Sequence, residues 1–307
     1  MIQNKLVNEC SRRNLTNQVI MAVNMEIRVC AVLPVLNEEM HIERCIESLL
    51  AQTIPIDIIV LDGGSTDKTL QILEKFNKSV TIIDNPGKRV AQARNLALEK
   101  ISSNVTHCLE IIGHSWIEPD HVEKRVNDLL ELEEKLGSKV GAIGCLTESG
   151  DSDNEIARWI ESTMSSPIGS GGGQFKKFRG REQTKVPAFC LHNVEALRSV
   201  GGWDERFITS QDSDLSMRLI NKGWQLWRSD VSCVYMHKRS TLGQWWKMSH
   251  RYGFWRTKVL LRHPKRFDPR EILPIVGLLS IFILPNWWWA PLAVSYTHLT
   301  LPTKRIV

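Results

Sequence analysis

The stretch between residues 29 and 69, VCAVLPVLNEEMHIERCIESLLAQTIPIDIIVLDGGSTDKT, constrains the fold more than any other part of the chain. Its opening apolar run, residues 29–33, reads as a buried parallel strand. Pro34 interrupts that run, and Asn37-Glu38-Glu39 offers a helix start with acid in the first turn. Ile42, Cys45, Ile46, Leu49 and Leu50 then recur at the spacing of one helical face. A second apolar run, residues 56–61, closes on Asp62-Gly63-Gly64-Ser65. The pattern predicts strand, helix and parallel strand, with polar residues gathered at the carboxyl ends of both strands. An open parallel sheet binds its ligands there.

The rest of the chain continues in the same alternation. A helix is expected over 70–76, a strand over 80–83, a helix over 90–100 and a strand over 106–112 that stops at Gly113-His114. A helix over 120–136 and a strand over 140–146 follow. Residues 149–185 carry Gly, Ser and Lys without periodicity and read as a long functional loop. Regular structure resumes at 188–191, with helices at 193–200 and 212–222, strands at 225–227 and 231–236, and a basic, aromatic helix at 245–261.

LPVLNEE followed by LDGGSTDKT resembles the nucleotide-binding half of the family 2 glycosyltransferases. GGWDERF and SQDSDL are similar to segments of enzymes of succinoglycan-type exopolysaccharide synthesis. The resemblance runs from about residue 27 to residue 264. It implies an α/β fold of GT-A type: a Rossmann-like mixed, mostly parallel sheet flanked by helices, with a membrane-associated segment at the C-terminus. It also implies transfer of a sugar from a nucleotide diphosphate sugar, expected to be a UDP-sugar, to a lipid-linked saccharide acceptor with inversion. The alternative is a catalytically impaired protein of the same fold that still binds nucleotide sugar. A dinucleotide enzyme is disfavoured, because no Gly-x-Gly-x-x-Gly turn follows the first strand.

By that resemblance Pro34, Asn37, Glu38, Asp62 and Arg94 are expected to hold the nucleotide. Asp62 would accept from a uracil ring N–H, and the Arg94 fork would suit phosphate oxygens. An Asp before Gly-Gly is also an ordinary turn residue, and Glu38 also a first-turn acid. Where many relatives carry Asp-Asp-Gly-Ser, this chain has Asp62-Gly63-Gly64-Ser65. The family's metal element, Asp-x-Asp or Asp-x-His, is here Ile112-Gly113-His114. His114 is therefore the expected ligand for Mg²⁺ or Mn²⁺, without the carboxylate such hard cations prefer. Glu110 lies nearby, and its reach toward the site stays open. Asp212 is the expected catalytic base; Asp214, His237 and Arg251 are expected contacts for acceptor or diphosphate.

The net charge of +5 comes without a basic repeat or zinc pattern, so nucleic acid is not an expected partner. The seven cysteines show no metal-clip spacing and read as thiols in a reducing compartment. Residues 1–24 are expected to be a disordered extension, with translation starting at Met25 or Met21, and residues 25–264 to form the GT-A domain. Residues 272–293 belong to an uncharged run long enough to cross a bilayer. Basic residues before that run suggest the cytoplasmic face of a bacterial plasma membrane. Residues 294–307 are expected to be non-native, since VSYTHLTLPT matches one reading frame of a sequencing adapter.

Overall fold

In the computed structural model, which describes residues 27–150, 178–237 and 241–269 together with Glu155 and Trp159, the first apolar run becomes strand β1 (Val29–Val35). Helix α1 (Ile42–Leu50) follows, burying Ile42, Cys45, Ile46 and Leu49 and leaving Leu50 exposed at its last turn. Strand β2 (Asp57–Asp62) returns parallel to β1, with Leu33 beside Val60 and Val35 beside Asp62. Helix α2 (Thr69–Glu74), β3 (Thr81–Asp84), α3 (Val90–Lys100) and β4 (His107–Glu110) complete a parallel half-sheet ordered β3-β2-β1-β4.

The other half is antiparallel. It holds β5 (Ser115–Ile117), β6 (Ala142–Ser149), β7 (Glu182–Gln183), β8 (Leu191–Asn193) and the 11-residue β9 (Leu226–Met236). Strand β8 joins the halves by pairing antiparallel with β4 and β6, and β9 pairs with both β5 and β7. Helices α4 (His121–Leu136), α5 (Val194–Ser199) and α6 (Gln211–Asn221) complete the unit. The expectation of a mixed α/β sheet with flanking helices is met.

Strand alternation divides the core between the two faces of the sheet. Val29, Ala31, Leu33 and Val35 of β1 pack with α1 and α4; Cys30 and Val32 pack with α3, α5 and α6. Helix α3 lies against the sheet through Ala91, Ala93 and Ala97, whose small side chains permit close approach, and Arg94 is buried among them. Helix α4 ends on Gly137, whose φ of 65° is the left-handed conformation that glycine adopts without penalty.

Three local expectations change. Strand β4 stops at Glu110, releasing Ile112 into a turn. Strands β5 and β7 were not expected, and β9 runs unbroken where two strands were read. Strands of two or three residues are too short to carry a period; distant pairing with β9 creates them.

The chain divides into two compact units: Met1–Glu148 with Arg179–Met236, and Ser149–Phe178 with His237–Val307. The second contains α7 (Leu242–Arg262), which exposes Trp246, Tyr252, Phe254 and Leu261. Among the described residues no helix is long and apolar enough to cross a membrane. The expectations for residues 1–24, 272–293 and 294–307 lie outside the described residues.

Two core histidines make the fold acid-sensitive. Burial, then Lys139 and His192, hold the His107 imidazole down to about 4. Burial, then Arg125, hold His121 down to about 3. An unfolded histidine titrates near 6.5. The unfolded chain therefore binds more protons below that value, and stability present above about pH 6.5 is lost as pH falls through about 4 for His107 and toward about 3 for His121. The melting temperature should fall steadily through this window in calorimetry; a flat profile would mean these imidazoles are not buried neutral.

Candidate active site

The carboxyl ends of β1 and β2 are tied to each other by their loops. Gly63 N donates to Val35 O at 2.9 Å. Asn37, at a φ of 56°, donates from its backbone N to Ser65 Oγ at 2.9 Å and accepts from Thr66 N at 2.8 Å. Glu38 N reaches Thr69 Oγ1 at 2.8 Å, and Glu39 Oε2 accepts from Lys68 N at 3.0 Å. Asp62 is 2% exposed: Oδ2 accepts from Gly64 N at 2.8 Å and Ser65 N at 3.0 Å, and Oδ1 accepts from Ser65 Oγ at 2.5 Å. Both oxygens serve the turn that follows β2, and Oδ1, with one bond, keeps an acceptor position for the expected uracil N–H. Pro34 is half-buried in β1 opposite Leu61.

Glu38 faces the turn after β4. Its Oε1 lies 2.8 Å from His114 Nδ1, and both side chains keep some exposure. Gly113 permits this approach, since a Cβ there would stand 2.7 Å from Glu38 Cγ. Ile112 is half-buried, and its carbonyl accepts from Ser115 N at 3.1 Å and Ser115 Oγ at 2.8 Å. It brings no metal-binding atom from its side chain. With its Nδ1 proton directed at Glu38, His114 would keep Nε2 as a donor atom, the usual arrangement of a carboxylate-oriented metal ligand.

Beside this pair of loops lies a buried charge cluster. Arg94 Nη1 pairs with Asp212 Oδ1 and also lies 3.2 Å from Glu110 Oε1. The Trp203 ring centroid is 5.5 Å from the guanidinium carbon. His192 Nε2 lies 3.2 Å from the same Glu110 oxygen, Oε1. Arg94 is 6% exposed. Its charge is shared by two carboxylates through Nη1, and the expected phosphate contact would fall to the remaining N–H groups. Burial pushes the Glu110 carboxyl up, but Arg94 and His192 outweigh it and hold it down at about 2. Asp212 goes the other way: close packing raises it, Arg94 lowers it, Glu110 raises it again, and the balance lies above the ordinary Asp value. Its side chain remains 36% exposed. Asp212 is the member of this coupled pair that solvent reaches.

Glu110, Cys190 and His192 also bring three ligand atoms within 4.8 Å of one another. They do not suit a metal. Arg94 already supplies the positive charge beside Glu110, where a second cation would be repelled.

Asp214 is a correction. It is fully buried and bonded to Arg218 Nε at 2.8 Å, so it offers no surface to an acceptor or diphosphate. Arg218 in turn donates to Val200 O and Gly202 O, both at 2.8 Å, fixing the Gly-Gly turn before Trp203. Asn95 clamps the same segment: Trp203 N donates to Oδ1 at 2.8 Å, and Nδ2 donates to Trp203 O at 2.8 Å. His237 follows β9, and Arg251 is exposed on α7; both belong to the second unit. His192 and Trp203 were not foreseen as site residues. GGWDERF pointed to the segment, but no local pattern marks His192, which only the β4–β8 pairing brings to Glu110.

The profile of "Glycosyl transferase family 2" matches residues 30–200, and that of "Glycosyl transferase family group 2" residues 117–304. Among curated proteins, the chain is 26% identical to the succinoglycan biosynthesis protein ExoA of Rhizobium meliloti (strain 1021), over 86% of this chain and 83% of that protein. It is also 26% identical to the dolichyl N-acetyl-alpha-D-glucosaminyl phosphate 3-beta-D-2,3-diacetamido-2,3-dideoxy-beta-D-glucuronosyltransferase of Methanococcus voltae, over 83% of this chain and 81% of that one. Among solved structures, the mannosyltransferase PcManGT from Pyrobaculum calidifontis, in complex with GDP-Man and Mn²⁺, superposes with a TM-score of 0.56 at 16% identity, covering 88% of this chain and 74% of the other. S. aureus TarS 1-349 in complex with UDP gives 0.50 at 16% identity, over 69% of this chain and 61% of its own. With more than half of its length matched by the family profile, the chain belongs to glycosyl transferase family 2.

Proposed function

We propose that the protein transfers a sugar, with inversion, from a UDP-sugar to a lipid-linked saccharide acceptor in exopolysaccharide or cell-surface glycan synthesis. The reaction would take place at the cytoplasmic face of a bacterial plasma membrane. One observation carries the chemistry: Asp212 is a part-exposed carboxylate in the first turn of α6, paired with the buried Arg94, which also meets Glu110 at the end of β4. Such a group can accept the acceptor's hydroxyl proton as the oxygen attacks the anomeric carbon opposite the departing diphosphate. The names of ExoA and of the dolichyl-phosphate-linked relative support the glycan pathway and the lipid-linked acceptor. The UDP in the TarS structure supports the donor class. The uncharged run 272–293 and the basic residues before it support the membrane.

The interlaced loops after β1 and β2 would frame the nucleotide, with Glu38 and the backbone around Pro34 nearest to it. Asn37 and Asp62 would act by holding loop shape. A divalent cation, Mn²⁺ or Mg²⁺, would be held by His114, oriented by Glu38, together with the donor's own diphosphate; it would neutralise the leaving group. One imidazole suits Mn²⁺ better than Mg²⁺. Melting shifts across a panel of nucleotide sugars, with and without Mn²⁺, test donor class and metal together. Failure of every UDP-sugar to raise the melting temperature would overturn the donor assignment.

Asp212→Asn should lower kcat by about a hundredfold or more while donor affinity stays within a few-fold, since the amide cannot take the proton. Wild-type turnover in this variant would remove Asp212 from the base role.

Ile112 supports the second reading, a nucleotide-sugar binder with little turnover, because an apolar side chain occupies the family's carboxylate position. Ile112→Asp should raise Mn²⁺-dependent turnover by about tenfold or more, as about 1.4 kcal/mol of added transition-state stabilisation would do. Should the variant be no faster at saturating Mn²⁺, charge neutralisation at this position is not what limits the enzyme.

A further inference from the structure

The cluster around Arg94 holds two carboxylates and one guanidinium. The two acids are not equivalent. Glu110 is immobile: its backbone N donates to Cys190 O at 2.9 Å, its Oε2 accepts from Cys190 N at 3.4 Å, and His192 Nε2 sits 3.2 Å from Oε1. It is 5% exposed. Asp212 projects from the first turn of α6 and keeps 36% of its side chain exposed. The same nitrogen, Arg94 Nη1, meets both.

An aspartate paired alone with a buried arginine makes a weak base, because the cation favours the charged form. Drawing it away from the arginine would also strand a buried guanidinium, which is strongly destabilising. Glu110 removes both obstacles. Its charge opposes that of Arg94 as felt at Asp212, and it remains as a partner when Asp212 turns to an acceptor. The other groups facing the cluster are His192 from β8, Cys190 just before it, and the Trp203 ring. The ring carries no net charge, and the thiol stays protonated.

We propose that Glu110 is a positioning residue for sugar transfer: it competes with Asp212 for Arg94 and so keeps the Asp212 carboxylate available to the acceptor hydroxyl. The proposal rests on the reading of Asp212 as the base. The sequence marks Glu110 only as lying near the expected metal element; the bridging geometry gives it this role.

The test reads Asp212 directly. In full-length protein carrying ¹³C at aspartate Cγ, the Asp212 signal is the one lost in Asp212→Asn, and its titration midpoint can be followed by NMR. Glu110→Gln keeps the size of the side chain and removes its charge. Arg94 then serves Asp212 alone, and the midpoint should drop by about one pH unit or more, a tenfold change in proton affinity. Glu110→Asp, which keeps the charge, should restore most of the wild-type midpoint. In transfer assays the acid limb of the kcat profile should move the same way in Glu110→Gln, with donor KM little changed. A merely structural role for Glu110 would lower activity at every pH without moving the midpoint. Should Glu110→Gln fail to fold, His192→Gln carries the test: Glu110 then leans wholly on Arg94, and the Asp212 midpoint should rise. An unmoved midpoint in the folded variant overturns the proposal while an inactive Asp212→Asn leaves the base assignment standing. Wild-type turnover in Asp212→Asn overturns both.

Discussion

The buried guanidinium of Arg94 is the interaction on which the rest of the site depends. A lone charge in this position would be severely destabilising, so the fold surrounds it with Asp212, Glu110 and the face of Trp203. Each partner needs its own support. Asn95, one residue on, clamps the backbone of Trp203 from both sides. Asp214 and Arg218 fix the turn that precedes it. His192 and the Cys190 backbone hold Glu110. Alanines at 91, 93 and 97 let α3 lie close enough to the sheet for Arg94 to reach these groups. Much of what the family motifs encode in this chain is therefore support for one ion cluster.

A second device stands beside it. The loops after β1 and β2 donate backbone N–H groups to each other's side chains through Asn37, Ser65, Asp67 and Thr69. Such mutual capping holds loop backbone in one shape, so little ordering remains to be done when a ligand arrives. The arrangement also explains why Asp62 tolerates burial: its oxygens accept three hydrogen bonds within the turn.

Ile112 is where this chain leaves its family's chemistry. The turn around it is well formed, with Ser115 bonded to its carbonyl and Gly113 allowing Glu38 to reach His114. In the function proposed above, the Glu38–His114 pair would hold the cation while position 112 offers no carboxylate. Retained geometry with a missing charge lowers rate before it lowers binding, because neutralising the leaving group matters most in the transition state.

The βαβ unit, the helical faces and the identity of Asp212, Arg94 and His114 as noteworthy residues were legible in the sequence, since apolar periodicity and short motifs are local properties. Glu38 was legible as a first-turn acid and an expected nucleotide contact; its partner His114 lies 76 positions away and is set by the turn after β4. Asp62 and Asp214 look like ligand-binding carboxylates in one dimension, and only folded packing shows them bonded to their own turn and to Arg218. Strands β5 and β7 exist because β9 pairs with them, a cooperation between segments that no local window contains. The sequence by itself determined the alternating elements, the family and the chemistry-bearing side chains. Tertiary structure alone decided which charges face each other, because the Coulomb energy of Arg94 with Asp212 and Glu110 depends on distances set by sheet order and strand register.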